Sequence, residues 1–542
     1  MQRSESSHER LNAEWLLGRL SDATGRIFVD PEQPLNEAGI DSIDGLQVLG
    51  DLEEEFGVSL ELAHLLGGAT AEGVARQALA ALADAGETRL GVSAVESPQS
   101  TEGTEGTEGT EGTEGTEGTE GQGGKLTLQQ ERAVREAEAS TRDGEAFRSH
   151  IAVAFDLAGT TVDGVAAAMR TLVERHDALR VSFQSERGAL TQRALAAGSW
   201  HVARCTPEDL RSRFATAAQT PFELVDTVGS ELPIRALVAE TSPTTATLAL
   251  VVHHAVADAA SIAVLTEELG KLLDGISLDP AESFVSWARA SRVAMLSGPA
   301  DWRPFEQVVS VGDAPLVRSA ASLMQPLSPS VWASIDRVAS CLHMTATSLL
   351  FSSFSLSVLA TAQQPCGVID AVSSRRTGRA RVGLVGYLAE NLAAPVKTST
   401  NACAQVRGEQ PWRLEDVRGE LVSIEQQRQA AERNGWFRSS LDDARRRVAA
   451  PPLPVSVCFN AQPAGLIDGY CSPTTRITPS LELTRSAIQH CLGVIAYVLP
   501  THEGCLLTIV YAPERVEKSW CELLLQRWVG VLEQAGVEGW SL

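Results

Sequence analysis

Val251-Val252-His253-His254-Ala255-Val256-Ala257-Asp258-Ala259-Ala260-Ser261 decides the reading of this chain. It closes an apolar run over residues 247–252, which reads as a strand. It opens a segment with Ile262, Leu265, Leu269, Leu272 and Leu273 on one helical face. A histidine at a strand end is held by a rigid element and titrates near working pH, so it is placed for proton transfer. Asp258, four residues on, can orient the turn or neutralise an arginine. Zinc is the competing chemistry. Adjacent histidines on a strand do not face one site, and no third ligand is evident, so no metal is expected.

Strand-like and helical stretches alternate around this core. Residues 151–157 read as a strand, 162–176 as a helix and 179–183 as a strand. Further on, 347–359 reads as an apolar helix, and 453–459 and 506–511 as strands. About 415 residues of α/β character exceed one ordinary domain, so two lobes are expected, one over about 125–300 and one over 301–542.

The first 124 residues differ in kind. The chain has 45 Lys and Arg against 69 Asp and Glu, a net charge of −24. Residues 1–100 hold six Arg and no Lys against 18 acids, or −12, and seven Thr-Glu-Gly triplets over 101–121 add −7. The remaining 418 residues carry only −5. No clustered basic surface exists for phosphate contacts, which argues against nucleic-acid binding. No long apolar run spans a membrane and the polar N-terminus lacks a signal core, so a cytoplasmic chain is expected. The triplet repeat, with Gln122-Gly123-Gly124, cannot bury a core and reads as a disordered linker over 91–124. As a flexible coil its last 24 residues span about 27 Å.

Within 1–90, Leu11, Trp15, Leu16 and Leu20 mark a first helix, and Ile43, Leu46, Leu49, Leu52 and Phe56 a second stripe. A last helix is expected over about 71–83. In Gly39-Ile40-Asp41-Ser42-Ile43-Asp44, Ser42 stands where a loop turns into a helix, and a phosphodiester there would meet free N–H groups and the positive helix end. Asp44, Asp51 and Glu53 to Glu55 follow as an acidic surface. On physics alone Ser42 or Asp41 reads first as an N-cap and the acids as a solvated face.

The segment over 8–85 resembles an acyl carrier protein. The resemblance implies a small all-α four-helix bundle with Ser42 bearing a covalent 4′-phosphopantetheine, loaded by an upstream polyketide or peptide synthase module after a phosphopantetheinyl transferase installs the arm. Asp41 before the serine is closer to polyketide or fatty-acid carriers than to peptidyl carriers.

The rest resembles the condensation domain of nonribosomal peptide synthetases, within the HHxxxD acyltransferase superfamily of chloramphenicol acetyltransferase-like, two-lobed α/β fold. Leu126-Thr127-Leu128-Gln129-Gln130 is similar to its opening motif. Arg175 to Phe183 and Thr220-Pro221-Phe222-Glu223-Leu224 follow in order, then Ser373-Ser374-Arg375-Arg376, Val385 to Asn391, and Val457-Cys458-Phe459-Asn460.

The resemblance implies His254 as the residue that positions or deprotonates the acceptor, with His253 and Asp258 structural. Asp258 would pair with Arg375 or Arg376, a register ambiguous by one residue. Asn460 would support a substrate tunnel, and His176 and Arg180 would hold the fold. The implied reaction transfers an acyl chain from the Ser42 arm to an amine or hydroxyl, borne by a small molecule or a carrier, giving an amide or ester and releasing the chain. The alternatives are an epimerase acting on the carrier-bound residue, for which no second acid/base segment is found, and a non-catalytic recruitment domain. Ala259 and Ala260 replace the family's Gly and following residue, and Val134 stands near its usual Trp.

Overall fold

The computed structural model describes residues 11–24, 30–32, 35, 48–49, 51–52, 55–56, 58, 60, 70–90, 124–142, 150–198, 200–225, 231–295, 320–376, 383–408, 413–447, 457–462, 469–487, 493–501 and 504–534. The chain divides into two compact units near residue 122.

In the first unit, helices Ala13–Thr24 and Ala71–Leu90 enclose one apolar core with the stretch around residues 48–56. Leu16, Leu20, Val48, Leu52, Val74 and Ala78 are fully buried, as the helical spacing of the apolar residues requires. The last helix runs past the expected end near residue 83. No glycine or proline in 80–85 stops it, and the Ala-rich run propagates it. Trp15 packs edge-on against Phe56, with ring centres 5.0 Å apart, and its Nε1 donates to Glu55. Arg19 pairs with Glu55 at 3.3 Å and approaches Asp51 at 3.9 Å. Asp51 and Glu55, read from the sequence as part of an acidic surface, therefore face a neighbouring helix. Ser42, Asp41, Asp44, Glu53, Glu54 and the Thr-Glu-Gly repeat lie outside the described residues.

The second unit is built on two six-stranded mixed sheets. The sheet of the N-terminal lobe runs Tyr470–Cys471, Arg476–Pro479, His150–Ala158, Thr245–His253, Ile234–Ser242, Ala203–Cys205. The other runs Glu390–Lys397, Cys366–Ser373, Val457–Ala461, Val494–Thr501, Gly504–Tyr511, Ala321–Leu327. Residues 179–180, expected to begin a strand, close a 3-10 turn over Asp177–Arg180, and the strand begins at Val181. Asp177 fixes that turn by accepting from Phe284 N at 2.9 Å and Ser283 Oγ at 2.6 Å.

A division of lobes at about residue 300 does not describe the folded chain. The strand Arg476–Pro479 pairs antiparallel with His150–Ala158, and Leu384, Val385 and Leu388 sit in the core of the N-terminal lobe. Ser480 N and Thr484 Oγ1 extend that docking through the two backbone groups of Ala154. Two long-range excursions of the later chain thus complete the earlier lobe. Non-local strand pairing is set by edge hydrogen bonds that local periodicity does not encode.

In the other lobe, Pro329–Cys341 and Ala346–Ala362 meet at 97°. Ala346–Ala362 is apolar around its circumference because it is buried on every side, by Phe459, Trp528 and the strands. Among the described residues no single helix is long and apolar enough to cross a membrane.

Candidate active site

The strand Thr245–His253 lies between two partners, His150–Ala158 and Ile234–Ser242, and is buried on both faces. That accounts for a sequence with no polar alternation. It ends at His253, whose carbonyl accepts from Val256 N at 3.0 Å, turning the chain into the helix Ala259–Leu273. Asp258 caps that helix: Oδ1 accepts from Ser261 N at 2.8 Å, and Ser261 Oγ accepts in return from Asp258 N at 3.3 Å. Ala259 and Ala260 occupy the first helical turn, where alanine is the best helix former, so their departure from the family pattern leaves this cap intact.

Asp258 is 2% exposed and its two oxygens are fully engaged. Oδ1 also accepts from Arg376 Nη2 at 2.7 Å, and Oδ2 from Leu388 N and Ala389 N, both at 3.0 Å. Burial opposes its charge, but Arg376 and Ser261 overcome that and hold the carboxyl below the ordinary carboxylate range. Ser261 Oγ lies 2.8 Å from Gly386 O and accepts from Gly386 N at 3.0 Å. The ambiguous partner is therefore Arg376. Arg375 adopts φ +55°, which turns its side chain aside, and its guanidinium lies 4.2 Å above the Phe437 ring.

The two histidines diverge. His253 is 2% exposed, accepts at Nδ1 from Ala255 N at 3.1 Å, and meets His150 and Phe222 edge-on at 5.8 and 5.9 Å. Burial, then the neighbouring His150, keeps it neutral. His254 retains accessible surface although protein surrounds it. Burial lowers its proton affinity, while its own carbonyl, Asp258 and the Ala257 carbonyl partly restore it. Its Nδ1 is enclosed and makes no regular hydrogen bond.

Tyr387 covers His254, ring centres 4.5 Å apart and tilted by 52°. Burial, then Glu390, pushes its phenol pKa up, so the hydroxyl keeps its proton. Gln129 Nε2 donates to Tyr387 O at 3.3 Å, and Gln130 Nε2 to Ala255 O at 3.0 Å, so the opening motif braces both sides of the site. Gly386 admits no side chain: a Cβ there would lie 2.0 Å from the Phe284 ring.

His176 Nε2 lies 2.6 Å from Glu268, which Arg175 also binds, and Arg180 Nε donates to Val173 O at 2.9 Å. These residues hold the fold. Asn460 is half-buried on the strand Val457–Ala461 of the other sheet, and no described contact joins it to His254 or Asp258. Val134, near the missing Trp, is buried in the core of the N-terminal lobe. Tyr387 and Ser261 lie inside stretches that the sequence singled out, yet neither was assigned a role. Their signal is tertiary, since each acts across more than 100 residues.

A family model described as a condensation domain matches residues 125–294, and one described as a phosphopantetheine attachment site matches 14–77. Surfactin synthase subunit 1 of Bacillus subtilis (strain 168) is 28% identical over 252 residues, 45% of this chain and only 6% of that protein. The X-domain from teicoplanin biosynthesis superposes with a TM-score of 0.61 at 17% identity, over 78% of this chain and 96% of its own. The condensation domain of the Monacolin K polyketide synthase MokA gives 0.61 at 14%, over 77% and 97%.

The likeness to these structures shows a shared two-lobed α/β fold. The chain carries a phosphopantetheine attachment domain followed by a condensation domain, with relatives among the nonribosomal peptide synthetases. The attachment domain implies a covalently bound 4′-phosphopantetheine.

Proposed function

We propose that this chain is a carrier-tethered condensation enzyme, with a carrier over 1–90, a tether over 91–124 and a catalytic body over 125–542. In this reading Ser42 holds the arm, which supplies a polyketide-type acyl group as a thioester when loaded. His254 takes or organises the proton of an amine or hydroxyl acceptor as it attacks the thioester carbonyl, forming an amide or ester. An upstream synthase module, a phosphopantetheinyl transferase, and a small-molecule or carrier-bound acceptor are the implied partners.

One observation carries the reading. His254 is a neutral imidazole with accessible surface in the protein interior, fixed by a turn that Asp258, Ser261, Arg376 and Gln130 hold. Asp258 and Arg376 are consumed by each other and by backbone, so their part is positional. A short tether raises the local donor concentration to about millimolar, so the donor need not be recruited from solution.

Intact-mass measurement tests the proposal. A phosphopantetheinyl transferase with acyl-coenzyme A adds one acyl arm, absent in Ser42→Ala, and a panel of amines, alcohols and loaded carriers includes one that removes the acyl mass as amide or ester. An arm on Ser42→Ala would refute the attachment site. An inverted carrier-bound centre with no mass loss would favour epimerisation, and neither change with any acceptor would favour recruitment alone.

A further inference from the structure

We propose that the Tyr387 hydroxyl is the hydrogen-bond donor that holds the thioester carbonyl oxygen as it gains charge, across the reacting carbon from His254. The inference rests on the acyl-transfer reading of the same site and adds to it a residue that the histidine motif does not include.

Three observations carry it. First, Tyr387 is placed as firmly as His254. Asp258 Oδ2 holds the two residues after it, Ser261 Oγ holds Gly386 before it, and Gln129 holds its own carbonyl. The same aspartate that caps the helix behind His254 therefore sets the position of the tyrosine. Second, both rings retain accessible surface within the protein, and among the described residues the Tyr387 hydroxyl makes no hydrogen bond. An accessible phenol beside an accessible imidazole, with no hydrogen bond to the described protein, can donate to a substrate oxygen. Third, the two rings are direct neighbours, with centres 4.5 Å apart, so one thioester can meet both side chains.

The step balances. The acceptor's lone pair forms the new bond to the carbonyl carbon, and the carbonyl pair moves onto oxygen, which accepts from Tyr387 O–H. When that pair returns, the carbon–sulfur bond breaks and the sulfur leaves as a thiol with the proton that His254 took from the acceptor. The phenol stays protonated throughout, in keeping with burial and Glu390 raising its pKa.

Infrared spectra of the full chain mixed with carbon-13-carbonyl acetyl, hexanoyl and decanoyl N-acetylcysteamine thioesters provide the test. The bound carbonyl stretch moves to lower frequency in the wild type and in His254→Ala, and the displacement disappears in Tyr387→Phe, which keeps the ring. Transfer from the same thioesters falls about 10²–10³-fold in Tyr387→Phe, the effect of removing one oxyanion donor, with KM little changed. A displaced stretch that persists in Tyr387→Phe overturns the proposal, as does a rise in KM with kcat unchanged. Wild-type transfer by His254→Ala with the stretch still lost in Tyr387→Phe would instead defeat the acyl-transfer role of His254 and leave the Tyr387 contact standing.

Discussion

Among the described residues two buried aspartate–arginine pairs stand out, one in each lobe's framework. Asp258–Arg376 and Asp370–Arg438 both close at 2.7 Å with almost no exposed surface. Asp370 and Arg438 form a two-pronged pair between the strand Cys366–Ser373 and the helix Arg438–Arg447. Asp258 instead distributes its oxygens over a helix cap, an arginine and two loop amides. The Asp370–Arg438 pair fastens two elements; the Asp258–Arg376 pair fixes a loop and a turn, and thereby Tyr387 and His254. A buried ion pair in itself does not define a site. Accessible polar side chains held by one do.

The largest expected effects treat the two pairs alike. Arg376→Ala and Arg438→Ala each leave a buried carboxylate without its counter-charge, so each lowers unfolding free energy by about 3–5 kcal/mol in chemical denaturation. A loss under about 1 kcal/mol for either would show that water reaches that carboxylate.

A pH profile separates the site histidine from its supporting carboxylate next. His254 has a lowered proton affinity, so transfer is flat above the ordinary histidine pKa of about 6.5 and falls only at lower pH, as the imidazole gains its proton. Asp258 is held below the carboxylate range, so its contribution to stability is complete above about pH 4 and is lost as pH falls through its depressed value. An activity loss that only tracks acid unfolding, with no separate limb below about pH 6.5 while the fold is intact, would remove the distinction between site and scaffold.

The smallest effect is Ser261→Ala. It removes the capping hydroxyl and the Gly386 contacts, lowers stability by about 1 kcal/mol, and slows transfer more than a loss of that size implies, because Tyr387 loosens. Thermal unfolding beside single-turnover rates provides the check.

Much of this was legible in the sequence. The strand into His253, the helix beyond it and the alternating elements follow from apolar periodicity, and Asp258, four residues after His254, was legible as a residue that orients the turn or neutralises an arginine. The pairing of Asp258 with Arg376 rather than Arg375 was not legible, because it depends on Arg375 adopting a positive φ. Nor was the position of Tyr387 over His254, or the return of 476–479 to the N-terminal sheet. Each depends on contacts between segments far apart in the chain, which local composition does not encode.

The most direct test of the central claim is His254→Ala beside Arg438→Ala in the full, acyl-loaded chain, with thermal unfolding and intact-mass transfer to a competent acceptor followed together. The account predicts that His254→Ala unfolds as the wild type does and transfers about 10²–10⁴-fold more slowly, whereas Arg438→Ala is destabilised yet transfers normally where it remains folded. Wild-type transfer by His254→Ala would contradict it.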